Sequence, residues 1–170
     1  EIVNEAKETN SVNTVYLNNK NEIIGENTDV YGVQAAYLKE VVGENIKNQS
    51  ALIIGAGGVA PSIVLALLKS KISKISITNR THERSLFIQK RFPNLEVIKW
   101  SDIAKLSINF DVIINATSLG LKNGKDFDFE IKHYKKSMKF IDTIYNPLET
   151  TMIKYFKNNG VKTYNGLEML

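Results

Sequence analysis

Six residues, Gly55-Ala56-Gly57-Gly58-Val59-Ala60, follow directly on the apolar run Leu52-Ile53-Ile54 and match the G-x-G-x-x-G/A spacing of a strand-to-helix turn. In such a turn Gly55 permits the tight bend, Gly57 lets backbone approach a pyrophosphate, and Ala60 lets the helix pack close to the sheet. The helix N-terminus adds free N–H groups and partial positive charge for phosphate. Roughly twenty residues on, at the end of the next apolar run, stand Asn79-Arg80-Thr81 and then Arg84. A dinucleotide fold usually carries an Asp or Glu there for the ribose 2′-hydroxyl. A carboxylate at that place would repel a 2′-phosphate, whereas a guanidinium binds one bidentately. Thr81 could by itself be a helix cap with two surface arginines beside it, but its interval from the glycine turn favours the phosphate reading. The two groups together specify NADP rather than NAD.

Three further places carry polar side chains of interest. Asn115, Thr117 and Ser118 end the run that begins at Asp111, at the sheet edge where open α/β folds bind ligands. They can hydrogen-bond a cofactor, or cap their own loop as these residue types readily do. Asn27-Thr28-Asp29 stands ahead of a long helical pattern, as an N-terminal cap, a catalytic carboxylate, or both. His82 and His133 are isolated, with no metal-ligand spacing, so no metal site is expected. Trp100 reads as packing under the third crossover.

The elements that would position these groups follow from patterning. Residues 1–9 form a short amphipathic helix pattern. Runs 12–17 and 22–25 flank Asn18-Asn19-Lys20-Asn21 and predict a hairpin. Thr28 is placed to cap a helix from 29 to about 42, with Val30, Val33, Ala36, Tyr37 and Val41 on its apolar face. Residues 43–49 form a polar connector. Strands are expected at 51–54, 74–78, 95–98, 111–115, 139–142 and 161–164, and helices at 59–68, 82–92 and 149–158. Pro147 suits a first helical position, and Gly160 a helix C-cap. Continuous apolar strands alternating with helices predict an α/β fold, a doubly wound parallel sheet of Rossmann type.

Composition narrows the class. The chain has 170 residues, 43% hydrophobic and 24% charged, the balance of an ordinary globular domain. It contains no Cys, which excludes disulfides, thiolate catalysis and Cys-based zinc sites and fits a reducing cytoplasm. No apolar run reaches the ~18–20 residues of a membrane span. The net charge of +4 is spread among acids and asparagines, without the basic, aromatic-interleaved stripe that a nucleic-acid surface needs.

In order along the chain, Ser11-Val12-Asn13-Thr14, Gly25-x-Asn27-Thr28-Asp29-x-x-Gly32, Gly55-Ala56-Gly57-Gly58-x-Ala60, Asn79-Arg80-Thr81-x-x-Arg84, Asn115-Ala116-Thr117-Ser118-x-Gly120, Asp142-x-x-Tyr145-Asn146-Pro147-x-Glu149-Thr150 and Gly166-Leu167-x-Met169-Leu170 resemble the shikimate dehydrogenase family. The resemblance implies NADPH-dependent reduction of 3-dehydroshikimate to shikimate, a small-molecule substrate, in aromatic amino acid biosynthesis. It implies that Asn13, Asp29 and Tyr145 contact substrate, with Asp29 catalytic beside a lysine supplied from the family's N-terminal domain. It also implies that Gly55, Ala56, Gly57, Gly58, Val59, Asn79, Arg80, Thr81, Arg84, Thr117 and Ser118 hold NADP, with Thr143 and Gly166 at its nicotinamide end. On this basis residues 1–27 are expected to be the remnant of a substrate domain, 28–165 the NADP-binding domain, and 166–170 the start of a return helix. Two positions depart from the family pattern, Ser11 and Val30, where glycine-containing sequence is usual. Without its sheet neighbours the 12–17 strand is expected to pair with a second copy, making a homodimer, or to disorder. A quinate-using or dual-substrate enzyme shares these motifs, and a non-catalytic NADP-sensing relative is the alternative from another class.

Overall fold

The computed structural model describes residues 1–42 and 46–169, with the side chains of residues 39–42 and 46 outside that description. The chain opens with helix α1 (Asn4–Thr9), followed by strands β1 (Thr14–Leu17) and β2 (Ile23–Glu26). These strands pair antiparallel, Thr14 against Glu26 through Leu17 against Ile23. Asn18 makes the turn, its Oδ1 accepting from the N–H groups of Lys20 (2.8 Å) and Glu22 (3.0 Å), so the expected hairpin forms on the expected residues.

Helix α2 (Asp29–Val33) runs on as a π-helical segment, Gln34–Val42. Its cap is Asn27 rather than Thr28. The Thr28 side chain makes no cap hydrogen bond, whereas Asn27 Oδ1 accepts from the Val30 N–H at 3.3 Å. Val30, Val33 and Tyr37 of the expected apolar face are buried. Val41 and most of the predicted 43–49 connector lie outside the described side chains, although Ile46–Asn48 forms a 3₁₀ turn.

Strand and helix then alternate through β3 (Ser50–Ile54), α3 (Ala60–Lys69), β4 (Lys74–Thr78), α4 (His82–Arg91) and β5 (Glu96–Val97). The crossover that follows is a string of short turns around α5 (Ile103–Leu106), leading to β6 (Val112–Asn115) and β7 (Lys139–Asp142). Helix α6 (Thr151–Asn158) and β8 (Lys162–Tyr164) complete the sheet. The six strands are parallel, in the order β5-β4-β3-β6-β7-β8. This is the doubly wound α/β arrangement, with the order reversing between β4, β3 and β6.

The period of two along each strand divides the core. Ala51 and Ile53 face a cluster with Val30, Ile63, Leu67 and Ile77, while Leu52 and Ile54 face another with Ile103, Phe140, Ile153 and Phe156. No helix is expected between β6 and β7 and none forms there; residues 116–138 are irregular, and Phe127, Phe129 and Tyr134 pack against that face of the sheet. Two expectations are corrected. Strand β5 is two residues long instead of four, as an edge strand with one neighbour needs little pairing. Pro147 does not open α6, since the helix starts four residues later. Thr150 caps it, accepting from the Ile153 N–H at 3.2 Å.

One buried polar node ties the N-terminal elements to the large sheet. The Asn27 amide donates to Ser62 Oγ on α3 (3.0 Å), to Thr9 Oγ1 (3.3 Å) and to the Ser11 carbonyl (3.1 Å). Asn27→Ala is expected to destabilise the protein by about 1–3 kcal/mol by stranding these partners. Its effect should be non-additive with Ser62→Ala by at least about 0.5 kcal/mol. Denaturant unfolding of the single and double variants measures both.

Candidate functional site

The ends of β3 and β6 approach so closely that only glycine fits between them. Gly55 has φ +115°, and a Cβ built on it would lie 2.7 Å from both the carbonyl carbon and oxygen of Ala116. The Gly55 N–H donates to the Thr78 carbonyl (2.7 Å), and the Ala116 N–H to that of Ile54 (2.8 Å), so three strand ends are laced together. Beyond this point the chains part, and a cavity of about 560 Å³ opens.

Of the residues expected to hold a cofactor, Gly55, Ala56, Gly57, Asn79, Arg80, Thr81, Arg84, Thr117 and Ser118 line this cavity. Asn79 shapes it, its Oδ1 accepting from the Ala56 N–H (3.2 Å) and its amide donating to the Thr81 carbonyl (2.9 Å). Arg80 and Arg84 are exposed and make no ion pair among the described residues. Thr81 does stand at the N-cap position of α4 with extended backbone, as the alternative reading has it, though its hydroxyl makes no cap bond. Among the described residues no hydrogen bond occupies the N–H groups of Gly57, Gly58 and Val59, just ahead of α3. Gly58 faces a neighbouring hollow of about 490 Å³, and Val59 lies beneath the turn against the core. A free N–H at a helix N-terminus, that of Gly57, and two guanidinium groups on the same cavity are suited to an elongated polyphosphate ligand.

Asn115 is used differently from the cofactor contact its position suggested. It is fully buried, and its Oδ1 accepts from the backbone N–H (3.0 Å) and hydroxyl (2.7 Å) of Thr117. Its amide donates to Asp142 Oδ1 at 2.9 Å. Asp142, also fully buried, accepts further from the Ile144 N–H (3.1 Å) and, through Oδ2, from the Thr150 hydroxyl (2.7 Å). One carboxylate thus braces the loop after β6, the loop after β7 and the start of α6. Burial pushes its pKa up from 3.8 to about 6, against the opposing pull of the three hydrogen bonds. The sequence carried no signal for this role beyond an Asp at a strand end.

Thr143 and Gly166 do not line the cavity but lie together beside it. The Gly166 N–H donates to the Ile144 carbonyl (2.9 Å), and its Cα rests against the Thr143 carbonyl with no room for a side chain. Residues Gly166–Met169 form a 3₁₀ turn, the expected start of a helix, with Leu170 outside the described residues. That turn packs on α2, where the Tyr37 hydroxyl donates to the Asn165 carbonyl at 2.6 Å. Asp29 opens α2, half-buried. Burial raises its pKa, and a hydrogen bond from Asn13 opposes the rise. Asn13 is held to the same helix start, its Oδ1 accepting from the Thr28 N–H at 3.0 Å. Tyr145 is exposed on the loop after β7. Contacts therefore link the loop after β7, which carries Thr143 and Tyr145, through the turn at Gly166 to the helix that Asp29 opens, and Asn13 is bonded to that helix start. Trp100, Lys125, Asp126 and Asp128 also line the cavity; sequence reasoning gave Trp100 only a packing role and the others none. Among the described residues no group of His, Cys, Asp and Glu could hold a metal ion, and no helix is long and apolar enough to cross a membrane.

Fold and site together define a dinucleotide-binding α/β protein of Rossmann type. The family model for shikimate / quinate 5-dehydrogenase matches residues 37–163, and the chain belongs to that family. It is 44% identical over 169 residues to a shikimate dehydrogenase (NADP(+)) of Pelagibacter ubique, covering 99% of this chain and 61% of that protein. The crystal structure of shikimate dehydrogenase from Aquifex aeolicus superposes with TM-score 0.87 at 33% identity, covering 99% of this chain and 60% of that one. Quinate dehydrogenase from Corynebacterium glutamicum in complex with NAD gives TM-score 0.87 at 26% identity, covering 99% and 62%. The chain thus spans about three fifths of the length of the relatives it matches.

The raised pKa of Asp142 has a measurable consequence. The folded protein holds its proton more tightly than the unfolded chain does, so this group's contribution to stability declines as pH rises from about 4 to about 6. The decline is at most about 1.4 kcal/mol per pH unit and levels off above it. Asp142→Asn is expected to remove that component, so the variant gains on the wild type across this interval. Thermal unfolding of both proteins in a pH series between 4 and 7 checks it.

Proposed function

We propose that this chain is the NADP(H)-binding part of a dehydrogenase that interconverts 3-dehydroshikimate and shikimate. The observation that carries the reading is that Gly57, with a free N–H at the α3 N-terminus, lines one cavity with Arg80 and Arg84, whose guanidinium groups make no ion pair among the described residues. The turn of Gly55, Ala56, Gly57, Gly58 and Val59 would hold the pyrophosphate, and Asn79, Arg80, Thr81 and Arg84 the adenosine 2′-phosphate. Thr117 and Ser118 would close the cavity from the β6 side, with Thr143 and Gly166 toward the nicotinamide. The residues fit the group, because the N–H groups of Gly57 and Gly58 have no hydrogen-bond partner among the described residues and a side chain on Gly58 would meet nothing within 4 Å. When bound, NADPH supplies the hydride that reduces a ring ketone.

The chain's own residues serve the substrate end. Asn13 and Tyr145 would hydrogen-bond substrate hydroxyls. Asp29 would orient a lysine contributed by the preceding part of the enzyme, which moves the proton to and from the carbinol oxygen. Residues 1–27 are assigned to the substrate-binding portion, an assignment supported by the exposed row of Val15, Tyr16, Leu17 and Ile23 on a two-stranded sheet separate from the large one. Quinate use is the second reading, since the structurally similar Corynebacterium enzyme is a quinate dehydrogenase. That enzyme was solved with NAD, and Arg80 and Arg84 here favour the phosphorylated cofactor.

Calorimetry on the 170-residue chain should show NADP⁺ binding more tightly than NAD⁺. The Arg80→Ala/Arg84→Ala double variant should lose about 10–100-fold in NADP⁺ affinity while NAD⁺ affinity stays within about twofold. Equal loss for both cofactors would overturn the 2′-phosphate assignment. Extended to the length of its relatives, the protein should reduce NADP⁺ with shikimate in preference to quinate. Asp29→Asn should lower that rate by about 10²–10⁴-fold, and the 170-residue chain alone should turn over negligibly. Faster turnover with quinate would favour the second reading.

A further inference from the structure

We propose that the indole of Trp100 is the platform on which the adenine base of the bound dinucleotide stacks; this rests on the NADP reading above and extends it to the far end of the ligand. The argument follows the strand order. The pyrophosphate-binding turn leaves β3, the Asn79–Arg84 group leaves β4, and β4 is followed outward by β5. Trp100 lies three residues past the end of β5, at the start of the turn Trp100–Asp102. A ligand with its pyrophosphate at the first position and its ribose 2′-phosphate at the second extends its remaining group, the base, toward the third.

What stands there suits a flat, uncharged base. Among the described residues Trp100 is the one aromatic that lines the cavity, and it is half-buried. Phe129 packs against it edge to face, with ring centroids 5.1 Å apart, and Phe127 packs in turn on Phe129 at 5.3 Å, so the indole plane is fixed before any ligand arrives. Asp128, next in sequence to Phe129, and Asp126 line the same cavity. Lys125 lines it too, and the two carboxylates can accept hydrogen bonds from an exocyclic amine such as that of adenine. Stacking on an aromatic side chain contributes substantially to base binding and needs no further specific contact.

Trp100 is the only tryptophan of the chain, which gives the test a direct signal. The probe is adenosine 2′,5′-bisphosphate, which carries the base and the 2′-phosphate but no nicotinamide. Titrated into the protein, it should quench the intrinsic fluorescence in step with the heat of binding measured by calorimetry. Trp100→Leu should weaken its binding about tenfold, and Trp100→Phe, which keeps a ring at the site, by no more than about threefold. The ratio of NADP⁺ to NAD⁺ affinity should be unchanged in both, because the 2′-phosphate contacts are elsewhere. Saturation of the wild type without a change in fluorescence, or binding to Trp100→Leu within about twofold of wild type, would overturn the stacking role while leaving the NADP reading in place. A wild-type protein that binds neither the bisphosphate nor NADP⁺ would instead overturn the NADP reading, and this proposal with it.

Discussion

Everything in the ligand-binding region is arranged around the contact of Gly55 with Ala116. Two neighbouring parallel strands end at the same level, and the chain emerging from one crosses the backbone of the other at a distance that excludes even a methyl group. Because that crossing is tight, the two chains turn away from it in opposite directions, one into α3 and the other into the irregular loop. The hollow between them is a direct consequence of the reversal in strand order. A larger residue at position 55 would meet both a left-handed φ and a backbone collision, and relieving either would shift the end of β3 that aims the N–H groups of the turn.

The loops bounding that hollow have little regular structure to hold them, and buried polar side chains supply the rigidity. Asp142 does so on one side, where its carboxylate collects donors from Asn115, Ile144 and Thr150. Burying a charge there costs free energy, which is why its pKa moves upward, and the cost is tolerated because an uncharged side chain could not accept all these hydrogen bonds at once. Asn27 plays the equivalent part at the other end, joining α1, the hairpin and α2 to α3 through Ser62. The segment carrying Asn13 and Asp29 is thereby fixed relative to the helix whose N-terminus faces the cavity. The hydride transfer proposed for the whole enzyme would need this kind of fixed relation, since small displacements of reacting groups carry large penalties in rate.

The parts of the molecule without helical cover show how side chains substitute for an element. Between β6 and β7 the chain runs for more than twenty residues with no helix, and a chain of edge-to-face aromatic contacts from Trp100 through Phe129 to Phe127 seals the sheet. The same arrangement brings Trp100, Asp126 and Asp128 to the cavity wall. An element that closes the core and an element that shapes the ligand site are here one stretch of loop.

How much of this was readable from the chain divides along physical lines. The parallel sheet, its strands to within a residue or two at most positions, the hairpin, the glycine turn and the Asn79–Arg84 group were all legible, because each is a local pattern of residue types over fewer than about ten positions. The helix starts were less so. Thr28 and Pro147 both have the chemistry of an N-terminus, yet Asn27 and Thr150 form the caps, since the choice depends on which side chain the surrounding fold leaves free to turn inward. The two-residue β5 was likewise hidden, as edge pairing is settled by distant partners. So it was with the site. Sequence alone determined that a glycine turn and two arginines would stand at the interval of a dinucleotide site, because charge and backbone freedom belong to the residues themselves. Only the tertiary structure decided that Asn115 would brace a loop, that Asp142 would anchor three segments, and that Trp100 would stand at the cavity, because burial and hydrogen-bond partnership are properties of residues brought together from far apart in the chain.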